Sequence, residues 1–119
     1  MLPSIQYLVN QFGVSKAARM LAFALPYVRE HKQNLYDALN KQDFALASAC
    51  AHKALSPVRL YGTPTLEQLL LHIKDYESHP QTLNNVSEDV EQLQQSVMKE
   101  FDEVIEQIEQ WMEQVQASV

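Results

Sequence analysis

Four histidines and one cysteine, Cys50, are the most reactive side chains of this 119-residue chain. His52 stands out because of its neighbours. If residues near 43–61 are helical, Ala45, Ser48, Ala49, Leu55, Ser56 and Arg59 share its face. Apart from Leu55 and Arg59 these are small, so the imidazole is expected to project with little shielding. The opposite face carries Leu46, Ala47, Cys50, Ala54 and Val58, an apolar set suited to a core. An exposed imidazole is substantially neutral near pH 7. Neutral imidazole is a competent nucleophile toward an acyl phosphate or another activated phosphoryl group. The product is close to a dianion. Lys53, next in sequence, and Arg59, two turns on, would offset that charge and steer an acidic docking surface.

The other reactive groups point elsewhere. His72, Asp75 and His79 fall at i, i+3 and i+7. They could be read as a surface metal site, but two imidazoles two turns apart reach one ion poorly. The expectation is a solvated helix face and no metal centre. His31 and His79 read as helix-surface and helix-end residues, and Cys50 as a small hydrophobe. Met20, Tyr27, Tyr36, Phe101 and Trp111 read as core or edge packing. Two glycines cannot build a GxxxxGK or GxGxxG phosphate loop, and neither HExxH nor GxSxG occurs. A single cysteine excludes an internal disulfide framework and any CxxC motif.

The elements that must carry His52 read as helix after helix. A short helix over 4–12 is expected, stopped by Gly13, with Ser15 capping the next. Leu21, Leu25, Val28, Leu35 and Leu39 then recur at helical spacing as far as Asn40. Pro26 lies inside that stripe and predicts a kink. Asp43 is the expected cap of a third helix over about 43–61, which Gly62 ends. Thr63-Pro64 reads as N-cap and first helical residue, with Glu67 near the positive helix end. Leu66, Leu69, Leu70 and Ile73 supply the buried face of this fourth helix, which is expected to end near His79-Pro80. After a polar connection from Gln81 to Ser87, Val90, Leu93, Val97, Phe101, Val104, Ile108, Met112 and Val115 step by three or four through one long helix. The predicted fold is all-α: a single domain over 1–119, with residues 1–14 as a short extra N-terminal helix and 15–117 as an antiparallel four-helix bundle.

Charge narrows the partners. The net charge of −6 disfavours wholesale binding to nucleic acid. Glu88, Asp89, Glu91, Glu100, Asp102, Glu103, Glu106, Glu109 and Glu113 oppose Lys99 alone over 84–119, whereas residues 1–83 carry a small positive excess. An acidic partner would therefore meet the first two thirds of the chain. No basic n-region precedes an apolar run, and the run around Leu21–Leu25 is too short to span a bilayer. A cytoplasmic protein without membrane contact is the expectation.

Ala51-His52-Lys53-Ala54-Leu55-Ser56-Pro57-Val58-Arg59-Leu60-Tyr61-Gly62, continuing Thr63-Pro64-Thr65-Leu66-Glu67-Gln68-Leu69-Leu70, resembles the signature of histidine-containing phosphotransfer (HPt) domains. Leu35 to Phe44 resembles that family's helix end and turn before the histidine helix. The resemblance covers most of residues 15–115. It implies a four-helix bundle whose histidine shuttles phosphoryl groups between receiver-domain aspartates. His52 falls on the phosphorylated position and Gly62 on the turn glycine. Ser56 falls where glycine is usual, and Leu55 where a lysine is usual, which removes a phosphate contact. Pro57 is a second departure. It costs a hydrogen bond to Lys53 and suggests that Ser56-Pro57 restarts the helix with a kink.

The resemblance implies a phosphocarrier rather than an enzyme, with no cofactor of its own. Its partner would be a receiver domain of a response regulator or a hybrid sensor kinase, and that receiver would supply the metal and the aspartyl chemistry. His52 would accept the phosphoryl group, with Lys53, Ser56, Arg59, Ser48, Ala49, Leu55 and Gly62 around it. Two other readings stand beside this one. The same scaffold could dock a receiver or kinase without carrying phosphate. Alternatively, the chain is a helical oligomerisation domain. A monomer is expected, with pairing through Ile105 to Val115 of the last helix as the alternative.

Overall fold

Turn chemistry sets most of the helix boundaries. The computed structural model describes residues 2–75 and 86–117, and these form helices α1 (Pro3–Phe12), α2 (Val14–Asn40), α3 (Phe44–Tyr61), α4 (Pro64–Lys74) and α5 (Val86–Ala117). Gly13 ends α1 at φ 83°, a left-handed conformation that glycine adopts without steric cost, and its N–H donates to the Val9 carbonyl at 2.8 Å. That same residue starts α2. Ser15 is therefore not its cap. The Gly13 carbonyl already accepts the Ala17 N–H at 3.0 Å, so Ser15 lies inside the first turn.

α2 stays helical through Pro26; Ala22, whose carbonyl the proline cannot reach, is exposed to solvent. α2 ends in a wrapped turn in which Asp43 N–H donates to the Ala38 carbonyl at 3.0 Å and Gln42 takes φ 56°. Asp43 then caps α3, its Oδ1 accepting from the Leu46 N–H at 3.1 Å. Thr63 caps α4 in the same way through the Leu66 N–H at 3.1 Å, with Pro64 at the first helical position. Gly62 between them has an ordinary φ of −95°, and its requirement is space. A Cβ there would sit 2.7 Å from the Val58 carbonyl oxygen and 2.8 Å from Val58 Cγ1.

The periodic apolar residues become the core. Leu21, Val28, Leu35 and Leu39 of α2, Leu66, Leu70 and Ile73 of α4, and Val97, Phe101, Val104 and Ile108 of α5 are buried together. α2 packs on α3 and α5, and α4 packs on α3 and α5, while α1 lies against α2 and α3. α1 shares this core rather than standing outside it. Ile5 and Leu8 are fully buried, and Ser4 Oγ donates to the Tyr61 carbonyl at 2.9 Å. α1 is thus packed against α2 and the C-terminal end of α3. Arg29–Glu109 and Lys32–Asp102 pair across α2 and α5, so part of the acidity of the last helix is met within the chain.

Val86 and Ser87 are already helical, which shortens the polar connection expected up to Ser87. Its remaining residues, and the expected end of α4 near His79-Pro80, lie outside the described residues. Among the described residues no helix is long and apolar enough to cross a membrane.

Candidate functional site

α3 presents its outward face from Ala45 to Leu60, and His52 stands exposed near its middle. Ala45, Ala49 and Ser56, all exposed, surround it with small side chains, as the spacing predicts. Two residues assigned to this face lie beneath it instead. Ser48 and Leu55 are buried. The physical reason is that α3 is held from two sides, by α2 and by α4, so its buried arc is wide and reaches the flank that turns toward α4. Tucked into this flank, Ser48 Oγ donates to the Lys74 carbonyl at 2.6 Å, in the last turn of α4. The reverse correction applies to the expected core face. Ala47, Ala54 and Val58 are buried, but Leu46 is 46% exposed and Cys50 half-buried.

The two expected cations flank His52 on opposite sides. Lys53 is exposed toward α2, where it lines a cavity of about 210 Å³ with Tyr27, Glu30, His31, Asn34 and Cys50. Burial holds His31 below the usual imidazole range; Glu30 works against that shift and Lys53 adds to it. Burial likewise pushes the Cys50 thiol up, with Lys53 opposing and Asp43 adding. These two groups therefore sit neutral at pH 7, as structural rather than reactive members of the α2–α3 seam. Arg59 points the other way. Its Nε pairs with Oε1 of Glu67 in the first turn of α4 at 2.9 Å. Gly62, partly buried, forms the turn that brings Glu67 beside it.

Pro57 does not break α3. The helix runs unbroken from Phe44 to Tyr61, and the expected restart at Ser56-Pro57 is absent. Lys53, whose carbonyl loses its partner, lies on the exposed face. Pro57 is partly buried and lines an apolar groove of about 430 Å³ with Leu21, Ala24 and Tyr27 of α2, Leu60 of α3 and Leu8 of α1.

Sequence reasoning missed the apolar rim of this groove. Phe23 is 72% exposed, Tyr27 50% and Leu60 45%, and the Phe23 and Tyr27 rings lie 5.5 Å apart. A signal was present. Phe23 and Tyr27 are spaced i, i+4 and fall off the Leu21, Leu25, Val28 stripe, so one helix carries a second apolar line that its core does not use. Tyr61 also lines the groove, with its hydroxyl buried and without a hydrogen-bond partner among the described residues, and burial pushes its pKa up to about 12.

No group of three metal-binding side chains occurs among the described residues. His72 and Asp75 are exposed near the end of α4, and His79 lies outside the described residues. Compared with protein-family models, with curated proteins and with solved structures, the chain matches none.

Proposed function

We propose that this protein is a histidine phosphocarrier of the HPt type, built as an antiparallel four-helix bundle of α2 to α5 with α1 packed against it. The observation that carries the reading is the exposure of His52 among Ala45, Ala49 and Ser56, midway along a helix fixed on both sides by packing. A receiver domain must bring an aspartyl phosphate within bonding distance of the imidazole. Small neighbours permit that approach, and a rigid backbone keeps the nucleophile placed. One ring nitrogen attacks phosphorus, the bond to the aspartate oxygen breaks, and the ring proton leaves to solvent. The imidazole is regenerated when a second receiver takes the group. The chain itself acts as a carrier, not as an enzyme, and works in the cytoplasm as a monomer.

The groove lined by Pro57 and Leu60 of the same helix supports the same reading. Exposed Phe23, Tyr27 and Leu60 rim the groove that Pro57 lines, and Tyr27 also lines the neighbouring cavity with Lys53, the residue next to His52. Such patches mark protein contact surfaces. The acids of α5 that pair with Arg29 and Lys32 belong to a different side of α2, away from the α3 seam.

One observation favours a second reading, docking without phosphate. Residue 55, where HPt domains usually carry a lysine, is a leucine and supplies no cation, and its side chain is buried rather than turned to His52. Incubation with a phosphorylated receiver domain separates the two. The carrier takes up acid-labile, alkali-stable label, which is lost in His52→Gln and kept in His72→Gln. Binding without label in the parent protein selects the docking module.

A further inference from the structure

Arg59 is seven residues beyond His52, nearly two full turns, so both stand on one line of α3 about 10 Å apart along the axis. Between them on this line stands only Ser56, small and exposed, because Leu55 is turned inward. Helical side chains tend to lean toward the helix N-terminus, so an Arg59 arm released from α4 can extend toward His52. Yet its guanidinium is engaged elsewhere. Nε is 2.9 Å from Glu67 Oε1, with Arg59 exposed and Glu67 partly so. α4 begins two residues after α3 ends, and the cap at Thr63 fixes where Glu67 stands.

We propose that Glu67 is a latch on Arg59: the ion pair parks the guanidinium on α4 while His52 is unmodified, and releases it to the phosphoryl group once His52 carries one. The inference rests on the carrier reading and adds a regulatory part to it. An exposed ion pair is weak and readily exchanged. A phosphoryl dianion offers twice the charge of a carboxylate and more acceptor oxygens, so it is the stronger partner for a guanidinium. Two consequences follow. The unmodified carrier keeps the strip around His52 open, with the arginine drawn to its edge. The modified carrier gains a cation on the phosphoryl oxygens. Loss of the group as a metaphosphate-like species moves charge off those oxygens, so a cation held there stabilises the phosphohistidine and slows its hydrolysis. Glu67 acts only through Arg59 and is a positioning residue.

The test uses the whole chain and phosphoramidate as donor. A ring nitrogen of His52 bonds to phosphorus, the P–N bond to the donor nitrogen breaks, and the ring proton leaves on ammonium. The half-life of the acid-labile label is then read in the parent and four variants of matched melting temperature. Glu67→Gln is expected to lengthen it on the order of two- to five-fold, the scale of one exposed ion pair. Arg59→Gln is expected to shorten it, Arg59→Lys to restore part of the loss, and Glu67→Gln in the Arg59→Gln background to change nothing further. An unchanged half-life in Glu67→Gln overturns the latch. So does an effect of Glu67→Gln that persists without Arg59, since the carboxylate would then act by its own charge. Label absent from His52 in every protein overturns the carrier reading itself, and the latch with it.

Discussion

Ser48 Oγ and the Lys74 carbonyl, 2.6 Å apart, fasten α3 to the last turn of α4 one helical turn before His52. This bond explains how a short helix such as α4 holds the helix that carries His52 in place at the end remote from the Gly62 turn. Ser48→Ala removes the hydroxyl that donates to this partly buried carbonyl. It should destabilise the fold by about 1–2 kcal/mol, read by urea denaturation, while His52 remains exposed. A loss near zero would mean that water replaces the hydroxyl without cost.

Tyr61 carries the opposite situation, a buried hydroxyl with no hydrogen-bond partner among the described residues. Tyr61→Phe keeps the ring and removes the orphan, so stability should hold or rise by about 1 kcal/mol. The pH dependence gives a second handle. The folded pKa is raised to about 12, against 10.0 for an unburied tyrosine. The unfolded chain therefore loses its proton first. The stability tied to this group is intact below pH 10 and is lost as pH rises toward 12. The parent should weaken over that window more steeply than Tyr61→Phe, as measured by chemical denaturation at stepped pH.

His31 predicts a change at the other end of the scale. Burial lowers its folded pKa below the usual 6.5, so the unfolded chain binds the proton first as pH falls. Stability is complete above pH 6.5 and declines below it, down to the depressed folded value. Glu30, Lys53, Tyr27, Asn34 and Cys50 surround the cavity it faces, and Lys53 reinforces the shift. His31→Gln should flatten the melting temperature between pH 7.5 and 5.5, and an unchanged slope in that variant would show that His31 does not carry the dependence.

The proposed docking face can be tested without touching His52. Leu60→Asp places a charge in the exposed apolar rim at a position 45% accessible, so the fold should be little affected. Transfer from a phosphorylated receiver should fall on the order of tenfold, the scale of an interface anchor. Glu106→Lys, exposed on α5, should leave transfer unchanged. Equal losses from both substitutions would show that the partner does not use the Phe23–Tyr27–Leu60 rim.

Local chemistry was the legible part of the fold. Asp43, Thr63, Pro64 and Gly62 act where their types predict because a cap or a helix stop is decided within four residues. The apolar stripes of α2, α4 and α5 were legible for a similar reason, since helical periodicity fixes which residues share a face. The less legible cases depend on neighbours distant in sequence. Ser15 reads as a cap until Gly13, in a left-handed conformation, serves as end of one helix and start of the next. Pro57 reads as a break until α3 is held from both sides, when packing along its length outweighs one missing hydrogen bond.

By itself, the amino-acid sequence determined that the chain is helical, where most helices start and stop, and that His52 has small neighbours one turn away on either side. Only the tertiary structure decided which arc of α3 is covered. Periodicity specifies a face but not its width, and a helix clasped by two others buries more of its circumference than one lying on a single surface. That is why Ser48 and Leu55 went inside, Leu46 came out, and Arg59 found Glu67 across a turn.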